Sequence, residues 1–241
     1  MPCSPRLLLS SALAGLLATA FVVPAAQAQG PQLPGKDRGS LKRVDDKAAL
    51  YPEATRTSPK PKVGAKVAKQ LRELQELYQK DDKAGVVAKA EEIAASSAAG
   101  DYEKAYAFQI AGNAAADLDD QAKAMDYFRR AVEADALDND AHFATMFNLA
   151  VMQATEDRNA EALATVDRFL AETKSTKPEQ LAFRAGLLAN LERYDEAATA
   201  FKALVAANPD DKRLLMNAAA SLQSAEKEAE ATAMLEQAYN R

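Results

Sequence analysis

The chain has 241 residues, 48% of them hydrophobic and only 6% aromatic, with no tryptophan and a formal net charge of −5. A single cysteine and a single histidine exclude a disulfide framework, a thiolate metal cluster and any site built on several histidines. The charge is split: residues 29–69 carry ten Lys/Arg against four Asp/Glu, whereas residues 70–241 carry 19 against 31, so a basic stretch precedes an acidic body.

Residues 1–28 read as an export signal. Arg6 supplies the positive start, Leu7 to Val23 form an apolar run of 17 residues, and Pro24 breaks it ahead of Ala26-Gln27-Ala28. That small-x-small ending suits a signal peptidase and predicts cleavage after Ala28. The run is shorter than the roughly 20 residues needed to span a bilayer, so no integral membrane segment is expected after cleavage. Cys3 lies ahead of the run, where it cannot accept a lipid, and the mature chain has no thiol for catalysis. The alanine-rich signal predicts a periplasmic protein.

Residues 29–65 follow as a leader rich in proline and lysine. Pro31, Pro34, Pro52, Pro59 and Pro61, with Gly30, Gly35 and Gly39, leave no helical apolar period. Such a composition buries too little surface to offset ordering entropy, which predicts a disordered or extended segment. It is either a spacer or a docking peptide centred on Tyr51-Pro52.

From Lys66 onward apolar residues recur at three- and four-residue spacing, with no strand signal. Val67, Leu71, Leu74 and Tyr78 mark one helix, and Val86, Ala90 and Ile93 its partner, giving a divergent hairpin over 66–104. A period then emerges. Leu181, Ala185, Leu188, Tyr194, Ala197, Phe201 and Pro209 occupy positions 4, 8, 11, 17, 20, 24 and 32 of a 34-residue unit that begins at Pro178. The same ruler fits a unit from Ala105 with Phe108, Gly112, Ala124, Phe128 and Ala131, and one from Phe143 with Met146, Ala150, Ala162, Val166 and Phe169. A last unit from Lys212 carries Leu215, Ala219, Leu222, Ala231, Leu235 and Ala238. The four units are expected at 105–138, 143–176, 178–211 and 212–241. Equivalent alanines (124, 162, 197 and 231) are 38, 35 and 34 residues apart, and the wider gaps predict extra loop residues at Asn139 to His142 and at Lys177.

Positions 8 and 20 are glycine or alanine in all four units. Small side chains there let two antiparallel helices approach to about 8–10 Å, while larger residues at 4 and 24 fill the space between units. On these residues the chain resembles the tetratricopeptide repeat family, whose fold is a right-handed α-α superhelix. The resemblance implies an all-α solenoid of about four to five helical hairpins. Arg184 and Gln153 depart from it, since both stand where the family is apolar; Arg184 is expected to reach out to solvent.

Catalytic chemistry has little to draw on. His142 sits beside Asp138-Asn139-Asp140 and is predicted to be a surface residue near a helix cap. Asp117, Asp119 and Asp120 imitate the start of a calcium loop but lack its glycine and distal glutamate, so they read as a turn. No phosphate loop or metalloprotease motif occurs, and no cofactor, metal or enzymatic activity is expected. An acidic body also disfavours nucleic acid.

The resemblance implies that the first helix of each unit lines a concave groove. Projected onto this sequence, the lining is Tyr106, Gln109, Ile110, Asn113, Phe147, Asn148, Val151, Phe183, Asn190, Arg213, Met216, Asn217 and Gln223. Asparagine amides donate and accept together and can hold the backbone of an extended peptide, while Phe147, Phe183 and Met216 offer apolar pockets. Only Arg213 is positive in this set, so an acidic C-terminal tail is not the expected ligand. The expected role is a scaffold for one or more envelope proteins. The alternatives are an envelope assembly or secretion factor and, in another class, a wall-associated enzyme, for which residues 29–104 are too few and too polar to supply a catalytic domain.

A narrower resemblance rests on Tyr51-Pro52-Glu53-Ala54-Thr55-Arg56, on His142-Phe143 followed by Met146-Phe147-Asn148-Leu149-Ala150, and on Ser175-Thr176-Lys177-Pro178. Together these are similar to periplasmic tetratricopeptide proteins encoded beside TonB–ExbB–ExbD systems. That similarity implies an accessory role in energy transduction to the outer membrane.

Overall fold

The computed structural model describes residues 49–61 and 63–240. The expected signal peptide and the leader up to residue 48 lie outside them. Among the described residues ten helices run in order: α1 (Ala68–Gln79), α2 (Lys83–Ala95), α3 (Asp101–Asp117), α4 (Gln121–Glu133), α5 (Asn139–Thr155), α6 (Asn159–Thr173), α7 (Pro178–Asn190), α8 (Tyr194–Ala207), α9 (Lys212–Ser224) and α10 (Glu228–Tyr239). Among the described residues there is no strand. Each helix packs on the next in chain order, and α1 also touches α3. That nearest-neighbour pattern makes a solenoid.

One turn is repeated in all five hairpins. Asp81, Asp119, Asp157, Glu192 and Glu226 adopt the left-handed conformation, with φ between 56° and 61°. The amide of the next residue then returns to a carbonyl five residues back, as in Asp120 to Ala115 (2.9 Å), Arg193 to Leu188 (2.9 Å) and Asp82 to Leu77 (3.0 Å). This 6→1 bond satisfies a carbonyl orphaned at the helix end. Aspartate tolerates the left-handed region better than most side chains, which accounts for its use at three of the five turns. The α1–α2 hairpin shares the turn, so it is a repeat unit despite its divergent sequence. The carboxylates of Asp82 and Asp120 then cap the following helices by accepting from the amides of Gly85 and Lys123. Asp117, Asp119 and Asp120 thus belong to a turn.

The longer spacing of the early units has a different origin from the one expected. Asp138 caps α5 by accepting from the Ala141 amide, and Glu103 accepts from the Gly100 amide at the start of α3 (2.9 Å). These caps start the helices at Asp101 and Asn139, four residues ahead of Ala105 and Phe143. The additional residues therefore add a helical turn: α3 and α5 have 17 residues, against 13 in α7 and α9. Asn139 to His142 are helical and not loop.

The crossings are made at small side chains. Ala124, Ala150, Ala162, Ala185 and Ala197 are fully buried, and Ala219 and Ala231 nearly so. At Gly112 a methyl group would stand 2.5 Å from the Phe128 ring. Gly112→Ala is therefore expected to lower stability by about 1–2 kcal/mol, because the overpacking outweighs the gain in helix propensity. Thermal melts check this; a raised melting temperature would contradict it. Around these crossings lie the large core residues, among them Phe143, Met146, Val166, Phe169 and Leu188.

The two departures from the family pattern are each compensated. Gln153 is buried and its carbonyl oxygen accepts from the Thr165 hydroxyl at 2.8 Å. Arg184 pairs with Asp167 on α6.

Candidate peptide-binding surfaces

The projected groove residues fall into three groups. Tyr106 and Gln109 are buried: the Tyr106 hydroxyl accepts from the Gln75 amide of α1 (2.7 Å), and Gln109 donates to the Ala141 carbonyl at 3.4 Å. Ile110 is buried as well. These three serve packing and offer no groove contact, because the long helix α3 lies against its neighbours over most of its surface. Asn190 stands at the C-terminal end of α7 and donates to Asn159 at 3.2 Å, which places it by an inter-helix turn and not along the row.

The remaining residues keep accessible surface. Phe147 and Phe183 are half-buried with ring centroids 5.4 Å apart, joining α5 to α7. Asn148, Arg213 and Gln223 are exposed, Asn113, Val151 and Asn217 are partly so, and Met216 is 52% exposed. The amides of Asn113, Asn148 and Asn217 make no side-chain hydrogen bond to other described residues. A half-buried aromatic pair can seat apolar side chains, and an uncommitted amide such as that of Asn148, next to Phe147 in the chain, can hold a peptide backbone.

A second surface was read only in part: the docking alternative centred on Tyr51-Pro52 named the tyrosine, but neither Arg56 nor the surface that receives them. The described part of the leader is not disordered but lies against the solenoid. The Tyr51 ring meets Phe143 and Phe169 edge-on at 5.4 and 5.6 Å, with the Lys177 ammonium 5.1 Å from its centroid. Burial pushes the Tyr51 phenol up, while the nearby Gln180 side chain acts the other way. Five residues on, the Arg56 guanidinium uses four of its five N–H donors. It gives Nε to Asp135 Oδ1 (2.6 Å), Nη1 to Asn139 Oδ1 (2.7 Å) and Nη2 to the carbonyls of Asp135 and Leu137 (both 2.9 Å). Asn139 returns a bond from its amide to the Arg56 carbonyl at 2.9 Å. Farther along, Glu103 accepts from the Gly64 amide at 2.7 Å and ties the leader to α3. Isolated prolines and lysines gave no helical or strand pattern, and the partners of Tyr51 and Arg56 lie roughly 80 to 130 residues away in the chain, which is why the sequence hid the surface that receives them.

His142 also departs from expectation. It is fully buried on the first turn of α5, and neither ring nitrogen has a hydrogen-bond partner among the described residues. Desolvation, aided by the nearby Arg56 charge, lowers its pKa from 6.5 to about 4, while Asp135 at 3.9 Å opposes the shift weakly. The unfolded chain therefore takes up a proton as pH falls below about 6.5, and the folded chain does not until about 4. Stability from this group is complete above that window and declines through it on acidification, by up to about 3 kcal/mol. Chemical denaturation from pH 7 to 4.5 should show the decline, and His142→Met should flatten it. Parallel profiles for the two proteins would contradict the assignment.

Among the described residues no group of acidic, histidine or cysteine side chains could hold a metal ion, and no helix is long and apolar enough to cross a membrane.

No family model matches the sequence, and no curated protein does. Solved structures do. YrrB, described as a TPR protein with an unusual peptide-binding site, is similar with TM-score 0.57 and 21% identity, over 71% of this chain and 84% of that one. A MamA protein structure gives TM-score 0.59 and 13% identity, over 74% of this chain and 92% of the other. Repeats of a putative kinesin light chain from Podospora anserina give 0.54 and 15%, over 73% and 94%. Five hairpins, each closed by the same turn and four of them crossing at alanine and glycine, thus have the fold of a tetratricopeptide repeat solenoid.

Proposed function

We propose that this chain is an exported, periplasmic adaptor that binds an extended segment of another envelope protein along the odd-numbered helices α5, α7 and α9, without catalysing a reaction. The observation that carries the reading is the half-buried Phe147–Phe183 pair, with Asn148 next to Phe147 on α5 and Asn217 on α9 offering uncommitted amides along the same odd-numbered helices. Repeat solenoids use such surfaces for extended partners, and the peptide-binding site named for YrrB supports the analogy. The signal-like residues 1–28 support export, and the Tyr51–Arg56 and His142–Ala150 segments support an accessory role beside a TonB–ExbB–ExbD transducer.

Capture from detergent-solubilised envelope tests the binding, with wild type compared with Asn148→Ala/Phe183→Ala, both verified as folded by circular dichroism. The wild type should retain a specific protein, a transducer component on the narrower reading, and the double variant should lose it. Retention by both, or binding of sugars and small substrates alone, would sink the proposal. Export has its own check: the mature protein should begin at Gln29.

A further inference from the structure

The contact between the leader and the solenoid has the form of a short-motif complex in which ligand and receptor share one chain. Residues 50–58 form no helix or strand, and Pro52, Glu53, Thr55, Thr57 and Ser58 are exposed. Attachment is concentrated at two side chains five residues apart. Besides Tyr51 and Arg56 there are smaller contributions: the Leu50 amide to Asp140 (3.1 Å), the Thr55 amide and hydroxyl to the Glu172 carbonyl (2.8 and 3.2 Å), the Asn139 amide to the Ser58 hydroxyl (3.1 Å) and Ala54 packed against the core.

The receptor, by contrast, belongs to the solenoid. Phe143 and Phe169 are core residues of the α5–α6 hairpin, fully buried. The guanidinium pocket is made where α4 ends and α5 begins, from the Asp135 carboxylate, the Asn139 amide and two carbonyls. The Asp135 and Leu137 carbonyls lie in the connection between the two helices, outside either helical ladder, so a cation with several planar N–H groups can take them together with the carboxylate. A lysine could not reproduce four directed bonds.

We propose that this surface is a peptide-recognition site for an extended segment carrying an aromatic ring and an arginine five residues C-terminal to it, with residues 50–58 as its tethered ligand. The site adjoins the row of Phe147, Phe183 and Met216 through Phe169, which touches both Tyr51 and Phe147, but does not depend on how that row is used. Tethering keeps the local concentration of the leader high, so an external peptide of the same chemistry competes poorly until the leader is weakened.

The test uses a fluorescent peptide with the sequence of residues 49–60 and the full chain bearing Tyr51→Ala and Arg56→Ala. Anisotropy should show saturable binding to this variant, at least about tenfold tighter than to wild type, where the leader competes. Peptides with the tyrosine changed to alanine, or the arginine to lysine, should bind at least about tenfold more weakly than the parent. Absence of saturation with the folded variant, or equal binding to variant and wild type, overturns the proposal. Should the double variant fail to fold, a protease site placed between Lys60 and Val63 of the otherwise wild-type chain gives the answer. After cutting, the leader fragment should leave on dilution, the solenoid should keep its helical circular dichroism, and added peptide should rebind. Loss of helicity when the fragment leaves would make the leader part of the core and overturn the proposal.

Discussion

Phe169→Ala is expected to cost about 3–5 kcal/mol, the usual range for emptying a large aromatic from a core that cannot collapse. Phe169 is fully buried, and its ring lies 5.6 Å from Tyr51, 6.2 Å from Phe143 and 5.2 Å from Phe147. Among the described aromatic residues, Phe169 alone has ring contacts with both Tyr51 of the leader and Phe147 of the accessible pair. Two readouts follow. The urea midpoint should fall with the lost packing, and the amides of residues 50–56 should exchange with solvent much faster, because Tyr51 loses one wall of its pocket. An unchanged midpoint would contradict the packing. Unchanged protection of residues 50–56 would show that Tyr51 is held by something else.

Ala197→Trp is expected to destabilise the chain by about 3 kcal/mol or more, at the upper end of overpacking effects. Ala197 is fully buried near the start of α8, in the same cluster as Leu163, Leu187 and Leu188. The indole cannot be accommodated without separating α8 from its neighbours, since interiors are packed close to crystal density. Ala203→Trp on the exposed side of the same helix is the control and should move stability by no more than about 0.5 kcal/mol. Equal melting temperatures for the two variants would contradict the helix crossing at small residues.

The residues that make those crossings were legible from sequence alone. Ala124, Ala162, Ala197 and Ala231 recur at near-regular spacing with a larger residue four positions on, and a helix interface dictates that pattern directly. Helix starts were less legible. Asp101 and Asn139 begin helices a turn early because Glu103 and Asp138 act as caps, and the repeat ruler had no position for them. His142 misled for the same reason: in sequence it lies among Asp138, Asn139 and Asp140, but the added turn of α5 carries it inward beneath Arg56. The leader was hardest to read. Tyr51 and Arg56 gain their partners only after helices α4 to α7 have assembled, so no local periodicity announces them. In the groove, Tyr106 and Gln109 were assigned by analogy with an average unit, and the extra turn of α3 brings more of that helix into contact with its neighbours.

Position-resolved photo-crosslinking in intact cells tests the adaptor reading most directly. A photoreactive residue is placed singly at Asn148 and Met216 along the odd-numbered helices, and at Arg129 and Ala203 on exposed faces of α4 and α8. The first two positions should yield adducts with one and the same protein, mapped to neighbouring stretches of a single extended segment, and the second two should yield none. Adducts of that protein at Arg129 or Ala203, with none at Asn148 and Met216, would contradict it.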